Sequence, residues 1–232
     1  MAQPVLQSRA VTRILPGETP VTLVRDITLD IEAGEFVVIM GPSGSGKSSL
    51  LYLLGLLDRP TSGCVLLDGV DTARLSEDAL AAARLSQLGF VFQFHFLLLE
   101  FTALENVMLP MRRLGALPAP AQRERAAMLL ADLGLAAHSH KRPSQLSGGQ
   151  RQRVAIARAL ANDPKVILTD EPTGALDSKS SDVVRGILRD LSHSQQRAII
   201  AVTHDHHFAE AADRQVTLID GAWSTEASRL RA

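Results

Sequence analysis

The stretch FVVIM-GPSGSGKSS, residues 36–49, decides the fold, because five apolar residues run directly into a glycine loop that carries Lys47 and Ser48. A short apolar run rich in β-branched residues is typical of a strand buried on both faces of a parallel sheet. The following residues, LLYLLGLL (50–57), favour a buried helix. Strand, glycine loop and helix in this order predict a phosphate-binding α/β core.

The loop itself fits the pattern G-x-x-x-x-G-K-[ST]. We expect its backbone amides to wrap a β-phosphate, Lys47 to neutralise β- and γ-phosphate oxygens, and the Ser48 hydroxyl to bind Mg²⁺. A flexible glycine turn is the alternative, and the flanking strand and helix argue against it. The residues predicted to bind nucleotide here are Gly41, Pro42, Ser43, Gly44, Ser45, Gly46, Lys47, Ser48 and Ser49.

Further candidates stand where other apolar runs end. In VILTDE, residues 166–171, Asp170 is placed to hold Mg²⁺ through its water shell, and Glu171 to orient or deprotonate a water. A helix N-cap is the alternative for this acidic pair. Gln93 follows the run LGFVF and is predicted to reach the metal or the attacking water, while His204 follows IIAVT and is predicted to contact the γ-phosphate. Taken alone, either residue would more often be structural.

A second anion site is indicated by LSGGQRQR, residues 146–153. Ser147 is a favourable N-cap, and the amides of Gly148 and Gly149 are available to an anion at a helix start. One domain has no evident need for two phosphate sites.

The rest of the chain predicts a single domain with an inserted lobe. Of 232 residues, 46% are hydrophobic and 21% charged, as in ordinary globular proteins. We expect residues 1–93 and 162–232 to form an α/β core with a mixed sheet, including antiparallel strands, an Asp68-Gly69 hairpin and a closing hairpin at QVTLIDGAW. Residues 94–161 have a helical pattern, punctuated by Pro110, Pro118, Pro120 and Pro143.

The net charge of −1 gives no reason to expect nucleic acid as a partner. Residues 111–161 nevertheless contain nine basic and two acidic residues, a local charge of +7. This indicates either a solvated helical face or a lobe that faces phosphates or lipid headgroups. A single cysteine excludes an internal disulfide, and with no signal-like or membrane-spanning apolar run we expect a cytoplasmic location.

Taken in order, GPSGSGKSS, FQ, LSGGQ, VILTDE, GALD and VTHD resemble the nucleotide-binding subunit of ABC transporters. The resemblance implies a P-loop NTPase fold, a head-to-tail homodimer and two ATP molecules, with Mg²⁺, between the subunits. It makes residues 41–48 Walker A, Gln93 the Q-loop, residues 166–170 Walker B, Glu171 the catalytic base, residues 175–177 the D-loop and His204 the switch histidine. The residues it assigns to the partner's nucleotide are Ser147, Gly148, Gly149, Gln150 and Asp177.

A narrower similarity is to the bacterial lipoprotein-releasing, macrolide-export and cell-division ATPases, on GFVFQFHFLLLEFTALENVMLP and DEPTGALD. It implies an ATP-hydrolysing motor that docks on an integral membrane permease at the cytoplasmic side of the inner membrane. The alternative is an ATPase whose permease-like partner transmits a signal and moves no substrate. A soluble ATPase acting on ribosomes or DNA is disfavoured because the chain has neither two cassettes nor a long coiled-coil insertion.

Two local features depart from the family pattern or leave alternatives. Leu99 stands where the branch commonly has proline, and the apolar residues 94–101 either take a permease helix or pack within the helical lobe. The family usually stacks adenine on an aromatic residue before the P-loop, but residues 1–35 contain none, and the position falls near Ile14. An aliphatic side chain there predicts weak base discrimination.

Overall fold

The computed structural model describes residues 4–224 and 229–230. The strands in chain order are β1 (Leu6–Leu15), β2 (Val21–Ile31), β3 (Phe36–Met40), β4 (Ser62–Leu67), β5 (Val70–Asp71), β6 (Leu88–Phe92), β7 (Val166–Asp170), β8 (Ala198–Val202), β9 (Arg214–Ile219), β10 (Ala222–Trp223) and β11 (Arg229–Leu230). The α-helices are α1 (Lys47–Leu54), α2 (Glu77–Gln87), α3 (Ala103–Leu114), α4 (Ala119–Asp132), α5 (Gly148–Ala159), α6 (Ser178–His193) and α7 (His206–Ala209).

Two sheets organise these elements. One is antiparallel, in the order β2-β1-β4-β5, and the other runs β10-β9-β3-β8-β7-β6, with β11 also beside β9. The second sheet is parallel at its centre, where β3 pairs with β8 and β9, and β7 pairs with β6 and β8. Their carboxyl ends therefore meet at one edge, which is where a parallel α/β sheet places its ligand.

Strand β3 is buried on both faces, as its sequence predicts. Phe36, Val38 and Met40 belong to a core shared with the helical segment, and Val37 and Ile39 to a core shared with α1 and the antiparallel sheet. Because the first core also holds residues of α3, α4 and α5, the helical segment packs directly on the sheet. The division into residues 1–93 with 162–232 and residues 94–161 stays a prediction.

Both predicted hairpins are confirmed. Strands β4 and β5 are joined by Asp68 and Gly69, with φ angles of 49° and 75°, as a two-residue hairpin turn requires. Strands β9 and β10 are joined by Asp220 and Gly221 in the same left-handed region. Antiparallel strands are also present, as predicted, because β1 pairs with β2 and with β4.

The helical pattern predicted for residues 94–161 is wrong in two places. Pro110 lies inside α3 and does not end it, because burial of Leu104, Val107 and Met111 outweighs the roughly 3 kcal/mol that an internal proline costs. Residues 93–102, called here the apolar loop, are irregular. Buried Asn106 holds the loop by donating to the carbonyls of Leu98, Phe101 and Thr102 and accepting from Leu98 N–H. Thr102 and Glu105 then start α3 with a capping box.

No helix in the described part of the chain is both long and apolar enough to cross a membrane.

Candidate functional site

A cavity of about 570 Å³ lies at the carboxyl edge of the central sheet. It is bounded by the glycine loop, the start of α1 and the residues that follow β6, β7 and β8. Its lining residues are Leu23, Ser43, Gly44, Gly46, Lys47, Ser48, Ser49, Gln93, Glu171 and His204. The structure therefore brings together the predicted phosphate loop and three of the predicted strand-end residues.

The glycine loop closes around Lys47, whose side chain is buried. Its Nζ donates to the carbonyls of Gly41 and Pro42 at 2.9 and 2.8 Å. Gly46, with φ of 96°, precedes α1, and a Cβ on it would stand 2.1 Å from the Leu23 carbonyl oxygen. Only glycine fits this position, so the loop can wrap closely and direct the amino end of α1 into the cavity.

Ser48 and Asp170 meet at the floor of the site, where the Ser48 hydroxyl donates to Asp170 Oδ1 at 3.2 Å. Burial raises the pKa of Asp170, as does the neighbouring Glu171 carboxylate, while the Ser48 hydrogen bond and the Lys47 charge oppose them. A hydroxyl and a carboxylate at hydrogen-bonding distance are hard oxygen donors of the kind that Mg²⁺ prefers. These two residues fit a magnesium ion.

Glu171 is fixed by several contacts on β7 and β8. Its carboxylate accepts from the Thr203 hydroxyl and lies beside His204 Nδ1, both at 2.8 Å. Its N–H donates to the Val202 carbonyl. Because a carboxylate only accepts, Nδ1 of His204 carries the proton, which leaves Nε2 for another partner in the cavity.

The backbone of Glu171 is strained, since its φ of 46° lies in the left-handed region. This conformation costs a non-glycine residue roughly 1–2 kcal/mol. It persists because the contacts on either side hold the residue in place, and such strain is common where a side chain must point into a site.

Gln93 follows β6 and lines the same cavity, as the sequence predicts. Its amide lies against Gly174, where a Cβ would stand 3.0 Å from Nε2. Gln93 is thus the junction between the cavity and the apolar loop.

Ser147 is an N-cap, as predicted. Its hydroxyl accepts from Gln150 N–H at 3.2 Å, and the Gln150 amide oxygen accepts from Ser147 N–H at 2.9 Å. Gly149 is needed for packing, because a Cβ there would lie 2.6 Å from the Ser180 hydroxyl. A Cβ on Gly148 would meet no atom closer than 3.5 Å.

The two predicted anion sites lie in separate cavities. Ser147, Gly149 and Gln150 line a groove of about 150 Å³ with Arg153, Lys179, Ser180 and Val183, and none of these residues lines the cavity around Lys47. Asp177 is also outside that cavity; its exposed carboxylate caps α6 and accepts from the N–H and hydroxyl of Ser180, and these bonds lower its pKa.

The predicted adenine position near Ile14 lies beside the cavity around Lys47 and stays a prediction. Ile14 does not line the cavity; Leu23 does, next to Thr22, the cross-strand partner of Ile14. The wall is nevertheless aliphatic, as expected from the absence of aromatic residues in residues 1–35.

The apolar loop is exposed and anchored at once. Phe94, Phe96 and Leu99 are 69%, 65% and 66% exposed, whereas Leu97 is buried. Half-buried Arg158, near the end of α5, donates to the carbonyls of His95 and Phe96 at 2.7 and 2.6 Å. Of the four apolar residues, only Leu97 packs within the lobe, and Phe94, Phe96 and Leu99 face outward.

The local charge of +7 has a different basis from the one expected. Four of its arginines donate to backbone carbonyls within the helical segment: Arg125 to Ala161, Arg151 to Leu146, Arg153 to Leu133, and Arg158 as above. These side chains stabilise loop and helix ends. The basic residues of this segment therefore form neither a uniformly solvated helical face nor a surface that is turned as a whole towards a ligand.

His207 is held in a surface network. His207 Nε2 lies 2.6 Å from Arg185 Nη1, and Arg185 also donates to Asp182. Across residues 4–224 and 229–230, no three His, Cys, Asp or Glu residues are grouped so that they could hold a metal.

Sequence reasoning missed three polar residues that organise the site. Thr203 contacts Glu171, Asn106 holds the apolar loop, and Gln152 donates to the carbonyl of Pro172 at 2.8 Å. Thr203 adjoins a predicted residue and is visible in VTHD. The other two have no sequence signal, because their partners are backbone carbonyls 4–20 residues away.

Comparison with known proteins identifies relatives of this arrangement. The family described as "ABC transporter" matches residues 24–174, more than half of the chain. The lipoprotein-releasing system ATP-binding protein LolD of Anaeromyxobacter dehalogenans is 52% identical over 206 residues, which cover 89% of this chain and 85% of that protein. The macrolide export ATP-binding/permease protein MacB 1/2 of Paracoccus denitrificans is 53% identical over 94% of this chain, but the match spans only 32% of MacB.

Solved structures show the same fold. A dimeric ATP-binding cassette, MJ0796, in a post-hydrolysis state with ADP and Pi, aligns with a TM-score of 0.89 and 42% identity, covering 98% of this chain and 99% of that one.

Proposed function

Because the chain belongs to the ABC transporter family and is an ATPase subunit of the LolD and MacB kind, we propose that two copies close head to tail around two ATP molecules and drive a membrane permease. The observation that carries this proposal is the separation of the two anion sites into different cavities of one chain. Ser147 does not line the cavity in which Lys47 would hold a nucleotide, whereas a head-to-tail partner would bring its own Ser147 to that nucleotide.

Within one chain, the glycine loop and Lys47 hold the phosphates of ATP at the amino end of α1. Lys47 Nζ donates to two carbonyls of the loop and so points across it. Phosphate oxygens of ATP would replace these carbonyls as acceptors. Ser48 and Asp170 would hold Mg²⁺, which supplies charge neutralisation at the β- and γ-phosphate oxygens.

Glu171 then orients a water for in-line attack on the γ-phosphorus and takes its proton as the new P–O bond forms and the bond to ADP breaks. Thr203 and His204 hold the carboxylate in position. Nε2 of His204 is then available to contact the γ-phosphate. Gln93 would contribute its amide oxygen to the metal or to the attacking water. The products are ADP and inorganic phosphate.

Across the dimer, Ser147 and the amides of Gly148 and Gly149 cap the γ-phosphate held by the partner's loop, with Gln150 and Asp177 beside it. The groove that Ser147, Gly149 and Gln150 line also holds Arg153 and Lys179, which favour an anion there. Closure then requires both nucleotides, and hydrolysis removes the group that joins the subunits.

The permease is proposed to dock on the apolar loop. Its exposed Phe94, Phe96 and Leu99 adjoin an apolar cleft of about 390 Å³, whose walls include Leu57, Leu85, Phe90, Phe92, Pro110 and Ala159. The Phe92 and Phe96 rings meet edge to face at 5.5 Å, so loop and cleft form one surface. Such a patch fits an amphipathic helix of the permease on the cytoplasmic side of the inner membrane.

The decisive experiment compares ATP hydrolysis and assembly in the parent and in Glu171→Gln. The variant keeps the size of the side chain but removes the base, so it should form ATP-dependent dimers and lose nearly all turnover. Phosphate release and light scattering measure the two properties. Turnover that persists in Glu171→Gln would remove Glu171 from the role of base, and a permanently monomeric variant would refute the nucleotide sandwich. Transport into vesicles by the complex then separates a transporter from a signalling assembly.

A further inference from the structure

Gln152 is a buried polar residue that the proposed mechanism does not use. It lies in the second turn of α5, is 1% exposed, and donates from Nε2 to the carbonyl of Pro172 at 2.8 Å. Pro172 is itself buried and directly follows Glu171. The bond therefore joins α5 to the turn that carries the proposed base.

That turn needs support, because Glu171 has a φ of 46°. Contacts from β8 fix one side of it, through the Val202 carbonyl, the Thr203 hydroxyl and His204. The bond from Gln152 fixes the other side. A buried amide that loses its carbonyl partner carries a desolvation cost, so the pair resists separation.

The same helix starts at the second anion site. Ser147 caps α5, and Gln152 follows five residues later, about 7.5 Å along the axis. A hydrogen-bonded helix moves over such a distance as one body, so a displacement of the Ser147 end reaches the Pro172 carbonyl.

We infer that Gln152 is a positioning residue that couples the nucleotide contacted by Ser147 to the Glu171 of its own chain. The inference rests on the proposed head-to-tail arrangement, in which Ser147 contacts the partner's ATP. Binding at one site then places the base at the other, and the two sites hydrolyse cooperatively.

The test compares Gln152→Met with Gln122→Met in the full chain. Methionine keeps the length of the side chain but cannot donate a hydrogen bond. Gln122 is the matched control because it is also buried, 6% exposed, and donates to a carbonyl, that of Leu117, at the same 2.8 Å, but in α4. Melting temperatures show whether the two variants lose similar stability.

Only Gln152→Met should lower kcat, by about tenfold, the equivalent of one lost hydrogen bond. The KM for ATP should stay unchanged, and the Hill coefficient for ATP should fall towards one. Equal kcat and Hill coefficients in the two variants would overturn the inference. If Gln152→Met fails to fold, Gln152→Asn, whose amide is one methylene too short to reach Pro172, takes its place.

A second readout does not depend on hydrolysis. The ring ¹⁵N chemical shifts of His204, assigned with His204→Gln, report its hydrogen bond to Glu171. They should change in Gln152→Met and not in Gln122→Met, and unchanged shifts in both would contradict a positioning role. A parent chain without turnover would refute the proposed function alone, because the His204 shifts still decide the role of Gln152.

Discussion

Ser147→Arg should leave the chain folded and able to bind ATP as a monomer, but unable to dimerise or to hydrolyse ATP. Ser147 is exposed, so arginine meets no buried neighbour, and the main structural loss is the bond from Gln150 N–H to the Ser147 hydroxyl. A lost N-cap costs about 1 kcal/mol, which for a chain of this size lowers Tm by about 2–4 °C. Affinity for ATP should not change, because Ser147 does not line the cavity around Lys47.

Two variants make this prediction specific. Ser147→Ala loses the same cap and one hydroxyl donor, so its hydrolysis should fall by about tenfold, whereas the bulk of arginine should lower it by at least about a hundredfold. Thr102→Ala removes an equivalent capping box from α3, away from both sites, and should lower Tm similarly with no effect on hydrolysis.

Nucleotide titration of the monomer, light scattering in the Glu171→Gln background and phosphate release measure the three properties. Loss of ATP affinity in monomeric Ser147→Arg would show that residues 146–150 serve their own chain, and the argument for a head-to-tail dimer would fail.

Three further outcomes are expected. Because the pKa of Asp170 is raised in the folded chain, its contribution to stability is present below the unfolded pKa, about pH 4, and is lost as the pH rises through the folded pKa. The Tm of Asp170→Asn should therefore rise relative to that of the parent between about pH 4 and pH 7. A Tm difference that stays constant over this range would contradict the prediction. Ile14→Tyr should raise ATP affinity about two- to tenfold and sharpen the preference over GTP, measured by parallel titration, and a parent that already strongly prefers ATP, with no change in the variant, would refute it. Phe94→Ser and Leu99→Ser should each weaken binding to the co-expressed candidate permease at least about tenfold without changing ATP affinity. Met128→Ser, at a residue 59% exposed elsewhere in the lobe, should leave permease binding unchanged. Equal effects of all three substitutions would refute the proposed docking surface.

Local chemistry explains which parts of the fold were predictable. Strand β3 and both hairpins follow from the period of apolar residues and from Asp-Gly pairs, which act over a few neighbouring residues. The apolar loop does not, because its path depends on the side chain of Asn106, and the composition of residues 94–101 alone resembles that of a buried helix. Pro110 was misread for a related reason, since tertiary packing of α3 overrides the local preference.

The candidate site divides in the same way. Lys47, Ser48, Gln93, Glu171 and His204 were predictable because each directly follows or lies within a motif of fixed spacing, and the cavity contains all five. The arginines were not, because a charge count does not show what each guanidinium contacts. Four of them bind carbonyls at helix and loop ends, where a fixed planar donor group replaces hydrogen bonds that the backbone lacks.

The placement of α5 gives a reason why one chain would have a second phosphate site. If both phosphate sites served one nucleotide, they would share a cavity, and α5 would need no contacts with other loops. Instead α5 starts in its own groove, holds Pro172 through Gln152 and holds the apolar loop through Arg158. In the proposed dimer, a helix with these three attachments would transmit the binding of an anion at its start to the base of its own chain and to the surface proposed for the permease. We therefore interpret the second site as the place where the partner's nucleotide would act on α5, and not as a redundant phosphate site.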